Sequence, residues 1–392
     1  MNSNADAATD ASADASLAAV DYFRLAVNGA PGGSMLSVWI QQTPGETNTE
    51  ASTAFLVGGY VGTDPSRVAD HAMGRVVEYI RPGRFVTRCT TDQVLWAVSG
   101  VRGADGTYVV FAAGENGRMM RLQNGSCDVI GTDAMFTGTA PSLFGVTALA
   151  PDDVWFVGGR VGPFHHGVAV HFDGTQSQVF ESLPGSDGNN FYRATGVHSA
   201  TGPDSLLVVG NNATIVRRDG TTGQWSPVAT GARAADNTLY TISCAGDLCT
   251  AVGGNASGVV LQGRSDGTGW APISRLGGVA GTELPGLNGV WTESDSSVFI
   301  SGPAGFVLHA IGDNAFRPRL TIATALEVDG AYAPPGQTSP LIIVVGGEIS
   351  VGDGTQRSLI IVRGDETPTI TFDDHAYMGI GGLSTSQPGF GQ

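Results

Sequence analysis

Lysine is missing from this chain: all twenty of its basic residues are arginine. That absence rules out Schiff-base chemistry and any lysine general base. As a compositional trait it matches the codon bias of a GC-rich genome. Charge is sparse altogether, at 14 % of 392 residues, and lopsided, with 36 acidic side chains setting a net charge of −16. Such a chain repels a phosphate backbone, and no arginine run forms a stripe, so nucleic acid is not an expected partner. Long apolar runs are missing too, since no stretch approaches the roughly 20 residues of a membrane-spanning helix. There is no Gly-x-Ser-x-Gly elbow, no His-Glu-x-x-His and no P-loop. Asp105-Gly106 and Asp187-Gly188 are turn signals that extend to no calcium loop. Neither a cofactor nor a metal is expected.

Cysteine is scarce, four in all. Cys244 and Cys249 flank the turn Ala245-Gly246-Asp247-Leu248 between two predicted strands, where a cross-hairpin disulfide is geometrically natural. A zinc site would want a second pair nearby. Cys89 and Cys127 are left to pair by elimination. Two bridges fit an oxidising compartment better than the cytosol, so an extracellular or cell-envelope setting is expected. Residues 1–16 are an acidic, Ala/Ser-rich run that cannot pack a core and lacks the basic and apolar regions of a signal peptide.

Glycine, by contrast, is abundant (58 residues) and 41 % of the chain is hydrophobic. Both follow from one unit written seven times. Its clearest copy runs Leu143-Phe144-Gly145-Val146, then Val154-Trp155-Phe156-Val157-Gly158, then Val168-Ala169-Val170-His171-Phe172-Asp173-Gly174-Thr175. The second strand of the unit is a near-continuous apolar run, as in strands buried on both faces. Its closing glycine recurs at Gly58, Gly114, Gly158, Gly210, Gly253, Gly302 and Gly346, at spacings of 43 to 56 residues. A third strand exits through Asp-Gly-Thr turns such as Asp219-Gly220-Thr221. The fourth is predicted to carry an aromatic near its start (Phe85, Phe180, Trp225, Trp270, Phe316). Seven units of four short strands make an all-β, seven-bladed β-propeller. Tyr377-Met378-Gly379-Ile380 leaves eight blades as the alternative; otherwise it or Tyr22–Val27 latches the ring, removing open sheet edges. The expected domains are a linker at 1–20, the propeller at 21–375, and a closing strand with a Gly-rich tail at 376–392.

Over about residues 34–365 this repeat grammar resembles secreted bacterial propellers of the sialidase-like Asp-box type and the photosystem II assembly-factor propellers. Arg264-Ser265-Asp266-Gly267-Thr268-Gly269-Trp270 approximates an Asp-box with altered spacing. Ser243-Cys244 and Cys249-Thr250-Ala251-Val252-Gly253 resemble blades of the same secreted propellers. Residues 1–16 resemble the spacer behind the lipidated cysteine of myxobacterial lipoproteins, with an ordinary disordered N-terminus as the alternative. The resemblance implies a fold and no activity; membrane contact would come only through a lipid anchor upstream of residue 1.

In propellers, ligands meet the loops joining second to third strands and those joining blades, around the central channel. Three second-to-third loops stand out. One, at 60–72, holds Tyr60, Asp64, Arg67, Asp70 and His71. Another, at 160–166, holds Arg160, Phe164, His165 and His166. The last, at 348–357, holds Glu348, Asp353 and Arg357. Arg160, His165, His166, Asp64, Arg67, His71, Glu115 and Glu348 are therefore the expected ligand contacts. Adjacent His165 and His166 point apart in extended backbone and do not share a metal. His171 and His309 fall on third strands as satisfied polar positions. Glu115 and Glu348 are the loop carboxylates a glycosidase would need, whereas no motif marks a sialidase triad, and Tyr79 beside Glu78 lies on a strand. The expected function is a monomeric, non-catalytic binding or scaffold propeller recognising a protein or glycan through its loop face. The alternatives are a polysaccharide-active hydrolase or lyase, and a structural subunit of an envelope complex.

Overall fold

The computed structural model describes residues 34–40, 52–59, 74–80, 84–102, 107–160, 165–199, 202–231, 237–255, 257–276, 279–280, 284–302, 306–311, 314–316, 326–330, 342–347, 358–363 and 369–373. These residues form a β-propeller. Seven four-stranded sheets follow one another along the chain, each a meander whose spatial order is its sequence order. Blade 3 is typical, with strands Ser142–Ala150, Asp153–Arg160, His166–Phe172 and Ser177–Phe180. The other first strands are Ser34–Ile40, Leu95–Arg102, Phe191–Val197, Leu239–Ala245, Gly289–Ser294 and Leu326–Gly330. Each first strand packs against those of both neighbouring blades, and Ser34–Ile40 packs against Leu326–Gly330 to complete the cycle. A short extra hairpin, Arg275–Leu276 with Val279–Ala280, falls between blades 5 and 6. Residues 22–27, 377–380 and the 376–392 tail lie outside the described residues, as do 1–20.

The core is layered between blades. Second strands feed two layers at once because alternate side chains leave opposite faces of a sheet. In blade 3, Phe156 joins Phe111 and Phe172 in the layer against blade 2, while Trp155 joins Phe191, Leu206 and Val208 in the layer against blade 4. Trp155 is 1 % exposed and Phe156 fully buried. This explains why the second strands read as unbroken apolar runs.

The recurring glycine has a steric cause. A Cβ on Gly158 would sit 2.0 Å from Ser142 O, and one on Gly253 would sit 1.8 Å from Thr238 O. The same approach recurs at Gly114 against Val94 O and at Gly210 against Asn190 O. Val94, Asn190 and Thr238 stand just ahead of a first strand, and Ser142 opens one. In three blades the carbonyl accepts from the amide that follows the glycine: Glu115 N to Val94 O at 2.9 Å, Asn211 N to Asn190 O at 3.1 Å and Gly254 N to Thr238 O at 2.8 Å.

An innermost strand has one edge without a strand partner, so its amides need other acceptors. Hydroxyls of the preceding blade supply them. Ser37 Oγ accepts from Val98 N (3.3 Å), Ser99 Oγ from Ala148 N (3.1 Å) and Ser243 Oγ from Thr292 N (3.0 Å).

Third-to-fourth turns are held by aspartates. Asp173, Asp219 and Asp266 each accept the amide two residues on, at 2.9, 3.1 and 2.8 Å, and a nearby threonine hydroxyl. In the Asp266 turn, Trp270 folds back onto Gly263 and donates its indole N–H to Arg264 O at 3.1 Å. The predicted aromatic does not always open the fourth strand: Phe180 and Phe316 end theirs, Ser177–Phe180 and Asn314–Phe316, and Trp270 precedes Ala271–Pro272. The hairpins differ in length, which shifts the ring by one to three positions.

The Thr222 amide, followed by Arg217, holds the Asp219 carboxyl down at about 2. A depressed carboxylate stabilises the fold fully above its ordinary value near 3.8 and loses that contribution as pH falls through about 2. Asp219→Asn is therefore expected to have a lower urea midpoint than the parent near pH 6, the gap closing as pH falls toward 2. A gap independent of pH would refute the charged-turn account.

Both disulfides are present. Cys244 and Cys249 face each other in register across the first hairpin of blade 5. Cys89–Cys127 joins the fourth strand of blade 1, Arg84–Thr91, to the fourth strand of blade 2, Ser126–Gly131.

Candidate functional site

Second-to-third loops and the segments entering the next blade form one face of the ring. They are tied by backbone bonds: Gly117 N to Pro141 O at 2.8 Å, Gly188 N to His165 O at 3.0 Å, Ala213 N to Asn237 O at 2.6 Å and Gly258 N to Leu284 O at 2.9 Å. Of the eight expected ligand contacts, Asp64, Arg67, His71 and Glu348 lie outside the described residues, as do Tyr60, Phe164, Asp353 and Arg357.

Arg160 and the two histidines are brought together, around the segment that leads into blade 4. Arg160 donates to Thr139 O and Thr137 O, each at 2.9 Å, and to Glu181 Oε1 at 2.6 Å. His166 donates from Nε2 to the Glu181 carbonyl, and its Nδ1 lies 3.2 Å from Asp187 Oδ1. His165 turns away to meet Asn190 through Nδ1 at 3.3 Å. The two imidazoles part, as their adjacency requires. This cluster clasps one blade to the next through bonds inside the protein. Glu115 is not part of it.

Two other clusters have the composition of catalytic sites and the geometry of structural ones. Glu78 is 2 % exposed and bound by Arg88, while Tyr79 packs its ring on Phe85, so the Tyr–Glu neighbours do not act on one point. Ser297 donates its hydroxyl to Glu293 Oε2 at 2.6 Å and therefore accepts from His309 Nε2 at 2.8 Å. That is the reverse of what a base-activated hydroxyl needs. His309 also stacks on Phe299, much as His171 stacks on Trp155 while bonded to Asp153 at 2.8 Å.

The innermost strands carry a further feature that no recognised sequence motif marks. In blades 1 to 5 the pairing of first and second strands skips one residue near the start: Leu36, Trp96, Phe144, Tyr192 and Tyr240. A bulge leaves its extra residue unpaired and re-aims the side chain. From blade 2 to blade 5 that residue is aromatic, and all four rings are partly exposed. Neighbouring rings touch in series, with centroids 5.8 Å apart for Trp96–Phe144, 5.3 Å for Phe144–Tyr192 and 5.4 Å for Tyr192–Tyr240. Chords of about 5.5 Å around a sevenfold ring put the centroids about 6 Å from its axis, at the rim of the channel. The signal was visible as an aromatic directly after the leading Leu or Phe of four first strands.

Loop residues of the same face anchor this arc. Tyr240 donates to Asn255 Oδ1 at 2.8 Å, and Asn211 Nδ2 reaches Tyr192 Oη at 3.5 Å. Glu115 stands at the Trp96 end. Burial pushes its carboxyl above the usual range, opposed by the Trp96 indole N–H, which faces the carboxylate without reaching hydrogen-bond geometry. The nearby cation, Arg118, is already paired with Asp92 at 2.7 Å. Among the described residues Glu115 has no ion-pair partner.

No protein-family model matches the sequence, and no curated protein does. Solved structures match in fold. "YCF48 bound to D1 peptide" aligns over 92 % of this chain and 98 % of that one, at 13 % identity and a TM-score of 0.53. YCF48 from Cyanidioschyzon merolae aligns over 90 % and 97 %, at 12 % identity and a TM-score of 0.50. The U3-55K structure aligns over 88 % and 99 %, at 10 % identity and a TM-score of 0.57. At such identities the likeness concerns architecture alone, and by architecture this chain is a β-propeller.

Proposed function

We propose that this chain is a non-catalytic, extracellular or cell-envelope propeller that binds a segment of another protein at the loop face of its channel. The observation that carries the reading is the arc of four partly exposed aromatic rings at equivalent bulges of consecutive inner strands. Aromatic rings supply large contact area at low conformational cost, which is why they concentrate in recognition sites. Two disulfides fit an oxidising setting. YCF48, a propeller of similar architecture, has been solved bound to the D1 peptide, which lends the reading a precedent in architecture.

The test presents the purified chain to a random-peptide display library and to a glycan array. Enrichment of peptides that is lost with Trp96→Ala and Tyr192→Ala supports the reading, whereas enrichment on glycans alone would replace it with a lectin. Arg160→Ala serves as the control: it removes bonds to Thr137, Thr139 and Glu181, so it should lower Tm while peptide capture by the folded fraction persists.

A further inference from the structure

Resting on that binding reading, we infer that the Trp96–Phe144 end of the arc, with the Glu115 carboxylate, receives the cationic side chain of an arginine or lysine on an extended partner segment. Three observations support it. First, Glu115 is a half-buried carboxylate without an ion-pair partner among the described residues, set beside an aromatic ring. Leaving a carboxylate partly dehydrated and unpaired is costly, and an incoming cation would offset that cost. Second, the Trp96 and Phe144 rings are both partly exposed and meet at 65°. A carboxylate at the edge of an exposed aromatic pair suits a cation, which the carboxylate and the negative faces of the π-systems both attract. Third, the chain carries a net charge of −16, so its summed field favours basic partners and steers them in.

The size of the mouth agrees. Rings about 6 Å from the axis come within reach of an extended segment entering the channel. The inner strands also carry a cation of their own. Arg193, next to Tyr192 and partly exposed, lies two blades from Trp96. Its charge disfavours a second cation at the Tyr192 end, which places the basic side chain between blades 2 and 3.

The peptide library gives the decisive readout. The inference expects enriched peptides to share an arginine or lysine. It expects affinity for a synthetic peptide of that sequence to fall about tenfold with Glu115→Gln and with replacement of the basic residue by norleucine. Affinity should also fall as salt rises, since the pair is partly exposed. Glu115→Gln is isosteric, and an unchanged melting curve establishes that it folds. Enriched peptides without a basic residue, or binding indifferent to Glu115→Gln, would overturn the cation site while leaving the binding propeller standing. No enrichment of any peptide would remove both.

Discussion

Replacing Cys89 and Cys127 together by alanine is expected to lower stability by about 4 kcal/mol, against about 2 kcal/mol for Cys244 and Cys249. The difference comes from the unfolded chain. The first bridge closes a loop of 38 residues and the second a loop of only 5, so the first removes far more freedom from the denatured ensemble. The first also acts between blades. It fastens the fourth strand of blade 1 to that of blade 2, each the edge strand of its sheet, where local opening is easiest. The second lies within a hairpin that backbone bonds already hold in register. Urea titrations of the two double variants under non-reducing conditions provide the comparison. Equal losses would mean that the long-range staple adds nothing beyond local ladder pairing.

Gly253→Ala is expected to cost roughly 3 kcal/mol, toward the upper end of overpacking effects. The new methyl would meet Thr238 O at 1.8 Å, and Leu239 Cα at 2.8 Å. Neither is the end of a flexible side chain, so relief requires the strand pair to separate where its bulge begins. It would also disturb the bond from Gly254 N to Thr238 O. Gly202→Ala is the matched control: its Cβ meets nothing closer than 3.6 Å, and its change should stay within about 0.5 kcal/mol. If both variants denature at the same urea concentration, close approach does not explain why this glycine recurs in every repeat.

The two predictions mark where the sequence was readable. The apolar second strands were legible because strands buried on both faces leave no place for polar side chains, and the recurring glycine was legible because a carbonyl occupies its Cβ position. The Cys244–Cys249 hairpin was legible because four intervening residues leave few ways to turn. The Cys89–Cys127 bridge rested on counting alone, since nothing local in either strand says that two outer strands of adjacent blades meet. The fourth-strand aromatics were placed one to three residues off where hairpin lengths differ, because a periodic reading assumes equal turns.

The loop residues divide in a similar way. Arg160, His165 and His166 stood out as a loop cluster in the sequence, whereas Arg160 and His166 pair as the last rungs of the two strands and only His165 lies in the turn between them. Three of their partners, the carbonyls of Thr137, Thr139 and Glu181, are invisible in a sequence because every residue has one; the other three are the side chains of Glu181, Asp187 and Asn190. Glu115 stood out as a loop carboxylate, but its meaning depends on Trp96, nineteen residues away on the first strand of the blade.

By itself the sequence determined the repeat, the layered core and the turn chemistry, because these follow from local periodicity and steric limits that each unit states in full. Only the tertiary structure decided what the copies make together. A bulge that shifts one residue is nearly silent in a single strand, yet repeated around a closed ring it brings Trp96, Phe144, Tyr192 and Tyr240 within touching distance. Those contacts join residues about 48 positions apart, and closure of the ring, not any local preference, sets the distance between them.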